Sequence, residues 1–172
     1  MSMAASQPVS DPAVVVMGVS GAGKTTVGRA LAQALGAEFI DGDDLHSDAA
    51  RAKMTAGVAL TDDDRWPWLD RVGAELASGG RVVACSALKR AYRDRIRAAA
   101  GRALRFVYLV ADMEAMRRRV AARPGHYMPA SLIDSQFAAL EPPRDEPDVV
   151  ELSAEADLAK TIPSLAARLG GE

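Results

Sequence analysis

Ala13-Val14-Val15-Val16-Met17-Gly18-Val19-Ser20-Gly21-Ala22-Gly23-Lys24-Thr25 is the stretch whose reading decides the fold. The unbroken apolar run 13–17 suits a strand buried on both faces, as in a parallel sheet, because a half-buried strand alternates instead. Gly18 to Thr25 fits Gly-x-x-x-x-Gly-Lys-[Ser/Thr] in full, placed where that pattern has physical meaning, after a buried strand and at the start of a helix. Thr25 to Leu35 is rich in Ala and Leu and reads as that helix, stopped by Gly36. Glycines let the backbone curl so that successive N–H groups point inward at phosphate oxygens. The helix behind them adds its positive end. Lys24 is placed to reach the β- and γ-phosphates of a nucleotide, and the Thr25 hydroxyl to ligate Mg²⁺. The expected ATP and Mg²⁺ contacts are Gly18, Val19, Ser20, Gly21, Ala22, Gly23, Lys24, Thr25 and Thr26.

Composition narrows what surrounds this loop. The 172 residues carry 21 Lys+Arg against 23 Asp+Glu, a formal net charge of −2, and 49% are apolar. That length suits one domain with a real core, and bulk disorder is excluded. No basic surplus points to nucleic acid or an anionic membrane, and no apolar run approaches the roughly 18 residues of a membrane span. Residues 1–12 read as a flexible leader with no signal-peptide pattern, and 13–172 as one domain. The single cysteine, Cys85, excludes an internal disulfide framework or a cysteine metal cluster, so a reducing cytoplasm is expected.

Outward from the loop, short apolar runs alternate with helical patterns. Phe39-Ile40, Arg81–Cys85, Leu104–Val110 and Val149–Leu152 read as strands; Lys89–Ala100, Asp112–Ala122, Ser131–Leu140 and Asp157–Leu169 read as helices. The stretch 44–78 reads as two helical pieces, the second opened by Thr61-Asp62-Asp63-Asp64, where Thr61 can cap and the carboxylates face a helix N-terminus. Prolines cluster around the helical piece after Arg123. The expected architecture is therefore α/β: a P-loop NTPase three-layer sandwich with a five-stranded parallel sheet, helices on both faces, a helical substrate-binding insertion at about 44–78 and a lid at about 124–142.

Three classes of P-loop protein compete: a small-molecule or nucleotide kinase, a GTPase switch, and a non-catalytic nucleotide-gated binding module. The chain has no asparagine, so the Asn-Lys-x-Asp element that reads guanine cannot exist. A kinase needs an acceptor-orienting carboxylate and arginines over the phosphates. Asp41-Gly42-Asp43 closes the second strand, where ligands bind in sheets of this kind. One carboxylate can hold Mg²⁺ and the other can take a proton from an acceptor hydroxyl. No Asp closes the third strand, which leaves Asp41 as the metal carboxylate. Arg119 and Arg123 share one helix face at the base of the lid and can stabilise a transferring phosphoryl group; Arg119, with the loop around residues 153–156, is also expected near adenine. Arg117 and Arg118 read as a solvated basic face, Trp66 and Trp68 as packing, and Cys85 as a buried strand residue.

The order of several further segments resembles the gluconate kinases, small P-loop kinases related to shikimate and adenylate kinases. The resemblance covers roughly residues 13–152 and rests on Met17–Thr25, Asp41-Gly42-Asp43 with Leu45-His46, Leu60–Arg65 with Pro67-Trp68-Leu69, Cys85-Ser86-Ala87-Leu88-Lys89 with Tyr92-Arg93-Asp94, Arg123 with Gly125-His126, and Ser135-Gln136-Phe137 with Leu140-Glu141. It departs from the family pattern at Thr25-Thr26, where a Ser pair is common, and at Tyr127, where Phe is frequent. It implies ATP-dependent phosphorylation of D-gluconate at its 6-hydroxyl, a homodimer, and an acceptor hydroxyl held by Asp43. Lys24, Asp43 and Arg123 would be catalytic. For a polyol carrying one carboxylate, the cations and polar groups on the matching segments are His46, Arg65, Lys89, Arg93, His126 and Gln136. Each also has a plainer reading: His46 as a cap, Arg65 paired with Asp62 or Asp63, Lys89 and Arg93 as a solvated face, Gln136 as a cap of the lid. Shikimate or another small hydroxy acid stays open as acceptor.

Overall fold

The computed structural model describes residues 11–122 and 130–170. Five strands form one sheet: β1 (Ala13–Met17), β2 (Glu38–Asp41), β3 (Arg81–Ala84), β4 (Arg105–Val110) and β5 (Val149–Ser153). Their order is β2-β3-β1-β4-β5 and every pairing is parallel. The helices are α1 (Lys24–Leu35), α2 (Asp48–Thr55), α3 (Asp62–Ala77), α4 (Arg90–Ala100), α5 (Met113–Ala122), α6 (Ala130–Ala139) and α7 (Leu158–Gly170). The expected α/β sandwich is this one. Among the described residues no helix is long and apolar enough to cross a membrane.

The central strand explains the layering. All of β1 is buried, and successive side chains on a strand point to opposite faces. Val14 and Val16 enter one core with residues of α1, α5 and α7, together with Ile133 of α6. Ala13, Val15 and Met17 enter the other with α3 and α4. A strand with apolar neighbours on both sides cannot be moved to a sheet edge without exposing one set, so the loop that follows β1 is fixed at the sheet's centre.

The two residues ahead of β1 are tied to the fold. The Pro12 carbonyl accepts from Arg81 N–H at 2.9 Å and the Asp11 carbonyl from Arg102 at 2.8 Å. Residues 1–10 of the expected leader lie outside the described residues.

One expectation fails inside the fold. Arg93 is not an acceptor-binding cation but the most enclosed charged side chain among the described residues, at 0% exposure. Its guanidinium spends every donor on the protein: two on the Glu146 carboxylate at 2.8 Å, two on the carbonyls of Ala87 and Leu88 at 2.8 and 3.1 Å, and one on the Glu141 carbonyl at 2.9 Å. A guanidinium buried this way has no donor left for a ligand. It ties the segment leading into α4 to the chain leaving α6. Arg97 backs the pair, bonding Glu146 and Asp148 while lying over the Phe106 ring at 4.7 Å. Burial alone would raise the Glu146 carboxyl, but the hydrogen bonds and charges of Arg93 and Arg97 outweigh it and hold it at about 2.

Two measurements check this hub. Arg93→Met removes two of the bonds to the buried Glu146 carboxylate and the donors of three carbonyls, and should cost about 3–5 kcal/mol of unfolding free energy, read by chemical denaturation; a change within 0.5 kcal/mol, roughly what a surface substitution gives, would contradict it. Because the folded-state value of Glu146 lies below its ordinary 4.5, its contribution is complete above about pH 4.5 and is lost as pH falls toward about 2. Glu146→Gln should flatten the stability profile across that window.

Candidate active site

The phosphate loop hangs from the carboxyl end of β1. Gly18 N–H donates to the Ser86 carbonyl at 3.3 Å, and Cys85 N–H to Val16 at 3.0 Å, so the loop and the end of β3 are stitched together. Gly23 occupies the N-cap of α1 at φ +94°, a conformation L side chains rarely adopt, and makes no side-chain cap. The first N–H groups of α1 therefore open toward the loop, carrying the helix's positive end. Lys24 folds over the loop, its Nζ donating to the Gly18 carbonyl at 2.9 Å and the Val19 carbonyl at 3.1 Å. Burial pushes its ammonium below the ordinary lysine range, partly offset by Asp43 and, more weakly, Cys85 and Asp41.

Ser20, Gly21, Gly23, Lys24, Thr25 and Thr26 share a cavity of about 210 Å³ with Asp41 and Asp43, which arrive from β2. Asp41 accepts from Asp43 N–H at 3.0 Å and so caps the short 3₁₀ turn 42–45. Burial raises the Asp43 carboxyl, and Asp41 adds to that; Lys24 and His46 oppose it. A raised carboxylate facing a lowered lysine in one cavity is the pairing expected where protons and phosphates meet.

The turn carrying Asp43 is pinned from outside. Trp68 of α3 donates its indole N–H to the Gly42 carbonyl at 2.7 Å. Arg51 of α2 donates to the Asp44 and His46 carbonyls at 2.7 and 3.4 Å, and Arg71 of α3 to that of Leu45 at 2.6 Å. Gly42 lies so close to β3 that a Cβ would stand 2.4 Å from the Ala84 carbonyl oxygen. The His46 ring stacks on Trp68, centroids 4.2 Å apart and 17° from parallel, and its Nδ1 is buried without a partner among the described residues. Burial, more than any charge, lowers its pKa below 6.5, so His46 is neutral at pH 7.

Beyond His46, Arg65 on α3 pairs with Asp62 at 3.4 Å and reaches the Tyr92 hydroxyl at 3.3 Å, with Lys89 over the same tyrosine ring at 5.6 Å. Thr61 and Asp64 form the full capping box at the start of α3.

On the other side of the loop, Arg119 of α5 donates to the Gly21 carbonyl at 3.1 Å and to Ala154 and Glu155 after β5. This joins the two segments expected around adenine. Gln136 of α6, expected among the acceptor contacts, lies on the phosphate loop instead: Ser20 N–H donates to its Oε1 at 2.6 Å and its Nε2 to Ser20 Oγ at 2.8 Å. Arg117 is ion-paired with Glu114 and Asp134. Burial pushes the Cys85 thiol up to about 12, so it is no nucleophile. Arg123 and His126 lie outside the described residues.

Sequence reasoning missed Trp68, Arg51 and Arg71 as braces, because their bonds go to carbonyls that no sequence pattern marks. Tyr92 stands three residues after Lys89 at the start of a helix, a spacing that could have been read as one face.

A family model described as an AAA domain matches residues 14–143. A probable gluconokinase from Schizosaccharomyces pombe is 45% identical over 152 residues, covering 82% of this chain and 79% of that protein. A gluconokinase from Gluconobacter oxydans is 46% identical over 147 residues, covering 83% of this chain and 82% of that protein. The crystal structure of a gluconokinase from Sinorhizobium meliloti superimposes with a TM-score of 0.84 at 45% identity, covering 94% of both chains.

The close approach at Gly42 gives a direct test of the pinned turn. Gly42→Ala must push the turn off β3 and should lower turnover about tenfold to a hundredfold, the scale of a small misplacement of a reacting group, with nucleotide affinity unchanged. Wild-type turnover would show that the turn's position does not matter.

Proposed function

The chain belongs to the gluconokinase family, and from that premise we propose how its site transfers the γ-phosphoryl group of ATP to D-gluconate, giving 6-phospho-D-gluconate. The observation that carries the mechanism is the shared cavity: Asp43 and Lys24 line one space with the phosphate loop.

ATP binds with its phosphates on the Gly18–Thr26 backbone and the open end of α1. Lys24 leaves the Gly18 and Val19 carbonyls for the phosphates, where its point charge offsets charge on the transferring group. Arg119 holds the nucleotide's base side, between the loop and residues 153–156. Asp43 orients the acceptor hydroxyl toward the γ-phosphate and takes its proton as the bond forms. The transition state is loose, so positioning matters more than base strength. Neutral His46, with Nδ1 unspent, offers a hydrogen bond beside Asp43. Arg65 and Lys89 supply cations for the gluconate carboxylate. Gln136 reaches the site through Ser20. Arg123 and His126 keep the roles the resemblance implies, on the phosphoryl group and the acceptor, with 124–142 as a lid that excludes water.

The donor set fits Mg²⁺: Thr25 and Asp41, both oxygen donors, line the cavity with the phosphate loop and would hold the ion there. An ion held mainly by phosphates and water suits that arrangement. When bound, it neutralises phosphate charge. We further propose that the protein works as a homodimer in the cytoplasm; the family supports the first, and the single, buried Cys85 the second.

Four outcomes test this reading. With MgATP and gluconate, phosphorus NMR should show an ester on C6; an ester elsewhere, or none, would refute it. Lys24→Ala should cut turnover by about a hundredfold or more, and Asp43→Asn should abolish most turnover while ATP still binds. Lost ATP binding in the Asp43 variant would instead exchange its role with that of Asp41. The pH profile of kcat/KM should be narrowed from both ends. Asp43 acts deprotonated and its carboxyl is raised, so the acid limb lies above pH 3.8; Lys24 acts protonated and is lowered, so the alkaline limb lies below pH 10.5. Limbs at the ordinary values would contradict the assignment.

A further inference from the structure

Between the start of α3 and the start of α4, four side chains gather on Tyr92. Tyr92, near the start of α4, is 6% exposed. Its hydroxyl lies 2.5 Å from Asp62 Oδ1 and 3.3 Å from Arg65 Nη1. The Arg65 guanidinium carbon and the Lys89 Nζ each stand 5.6 Å from the centre of its ring. Trp66 meets the ring edge-on at 5.8 Å. Cations near an aromatic face are drawn to it, so one buried tyrosine holds two cations from different elements, one on α3 and one just ahead of α4.

A carboxylate already sits on this group. Asp62 accepts hydrogen bonds from the Tyr92 hydroxyl and from Arg65, and its carboxyl is held below the ordinary range chiefly by the Tyr92 hydrogen bond, then by the charges of Lys89 and Arg65. Asp62 is not needed to finish the helix, because Thr61 and Asp64 complete the capping box and Lys53 pairs with Asp64 at 2.8 Å. Its side chain is 48% exposed, while the tyrosine beneath it is buried. Two cations face one carboxylate, leaving room in charge for a second. The group adjoins the braces of the site: Arg65 lies one helical turn before Trp68, whose indole N–H holds the Gly42 carbonyl, and Lys89 follows Ser86, whose carbonyl holds Gly18 of the phosphate loop.

We propose that Tyr92, Arg65 and Lys89 form the seat for the acceptor's carboxylate, and that Asp62 occupies this seat until the acceptor displaces it. Tyr92 is then a specificity-determining residue: its hydroxyl donates to the incoming carboxylate and its ring keeps both cations aimed at one point. Asp62 makes the seat selective, since a neutral polyol gains nothing by displacing it. This rests on the gluconate reading above.

The test compares gluconate with gluconamide, its uncharged carboxamide, in steady-state kinetics on the full chain. Tyr92→Phe removes only the hydroxyl. It should raise KM for gluconate about tenfold, the value of one hydrogen bond to a charged group, with kcat, KM for ATP and KM for gluconamide unchanged. Asp62→Asn keeps the shape and removes the charge, and should lower KM for gluconate about threefold, of the order of a surface charge pair, without moving gluconamide. A KM for gluconate unmoved by Tyr92→Phe, or an equal rise with gluconamide, overturns the seat, because a merely structural tyrosine would affect both acceptors alike. A higher KM in Asp62→Asn overturns the displacement. If the wild-type chain turns over gluconate while these variants fail, only the seat is lost; if the wild-type chain does not use gluconate, the functional reading falls and the seat with it.

Discussion

The uncapped N-terminus of α1 is the constraint on which the site depends. Gly23 at φ +94° brings the chain from β1 into α1 without a side-chain cap, so the first helical N–H groups and the helix dipole face a loop that presents the same polarity. Lys24 meanwhile rests on the loop's own carbonyls. Such a concentration of donors and positive charge is stable because β1, buried on both faces, holds it in place, and it is satisfied best by phosphate.

The acceptor side is built by a different device. The turn carrying Asp43 lies against β3 at Gly42, and side chains of α2 and α3 hold it through its carbonyls. Trp68 does two things at once: its N–H fixes Gly42 and its ring carries His46. The chain entering α4 is held in turn by Arg93, whose buried donors reach Ala87, Leu88, Glu141 and Glu146. Lys89 and Tyr92 precede that anchor by four residues and one. The phosphate side is thus set by backbone geometry, and the acceptor side by side chains that clamp backbone.

Local signals made the phosphate side legible in the sequence. Apolar runs, a complete loop motif and helix stops are read within a dozen residues, and the five strands and the capping box at Thr61 appear where those signals lie. Boundaries moved by a residue for physical reasons: Lys89, read as helical, is an extended N-cap residue. Arg93 was misread because its spacing from Lys89 suggests one exposed face, whereas its partner Glu146 is 53 residues away, and only the fold brings them together. The contact of Gln136 with Ser20 is hidden from the sequence for the same reason, since it spans 116 residues. The pairing of Arg65 with Asp62, the plainer of its two readings, is legible in the sequence because the pair is local.

Phosphoryl transfer to a carboxylate-bearing polyol is most directly tested by ADP release from MgATP, measured with D-gluconate, shikimate, AMP and no acceptor in parallel. We expect turnover with D-gluconate alone. Turnover with shikimate or AMP instead would keep the phosphate side and contradict the acceptor side, and tight ATP binding with no acceptor-dependent turnover would contradict a kinase altogether.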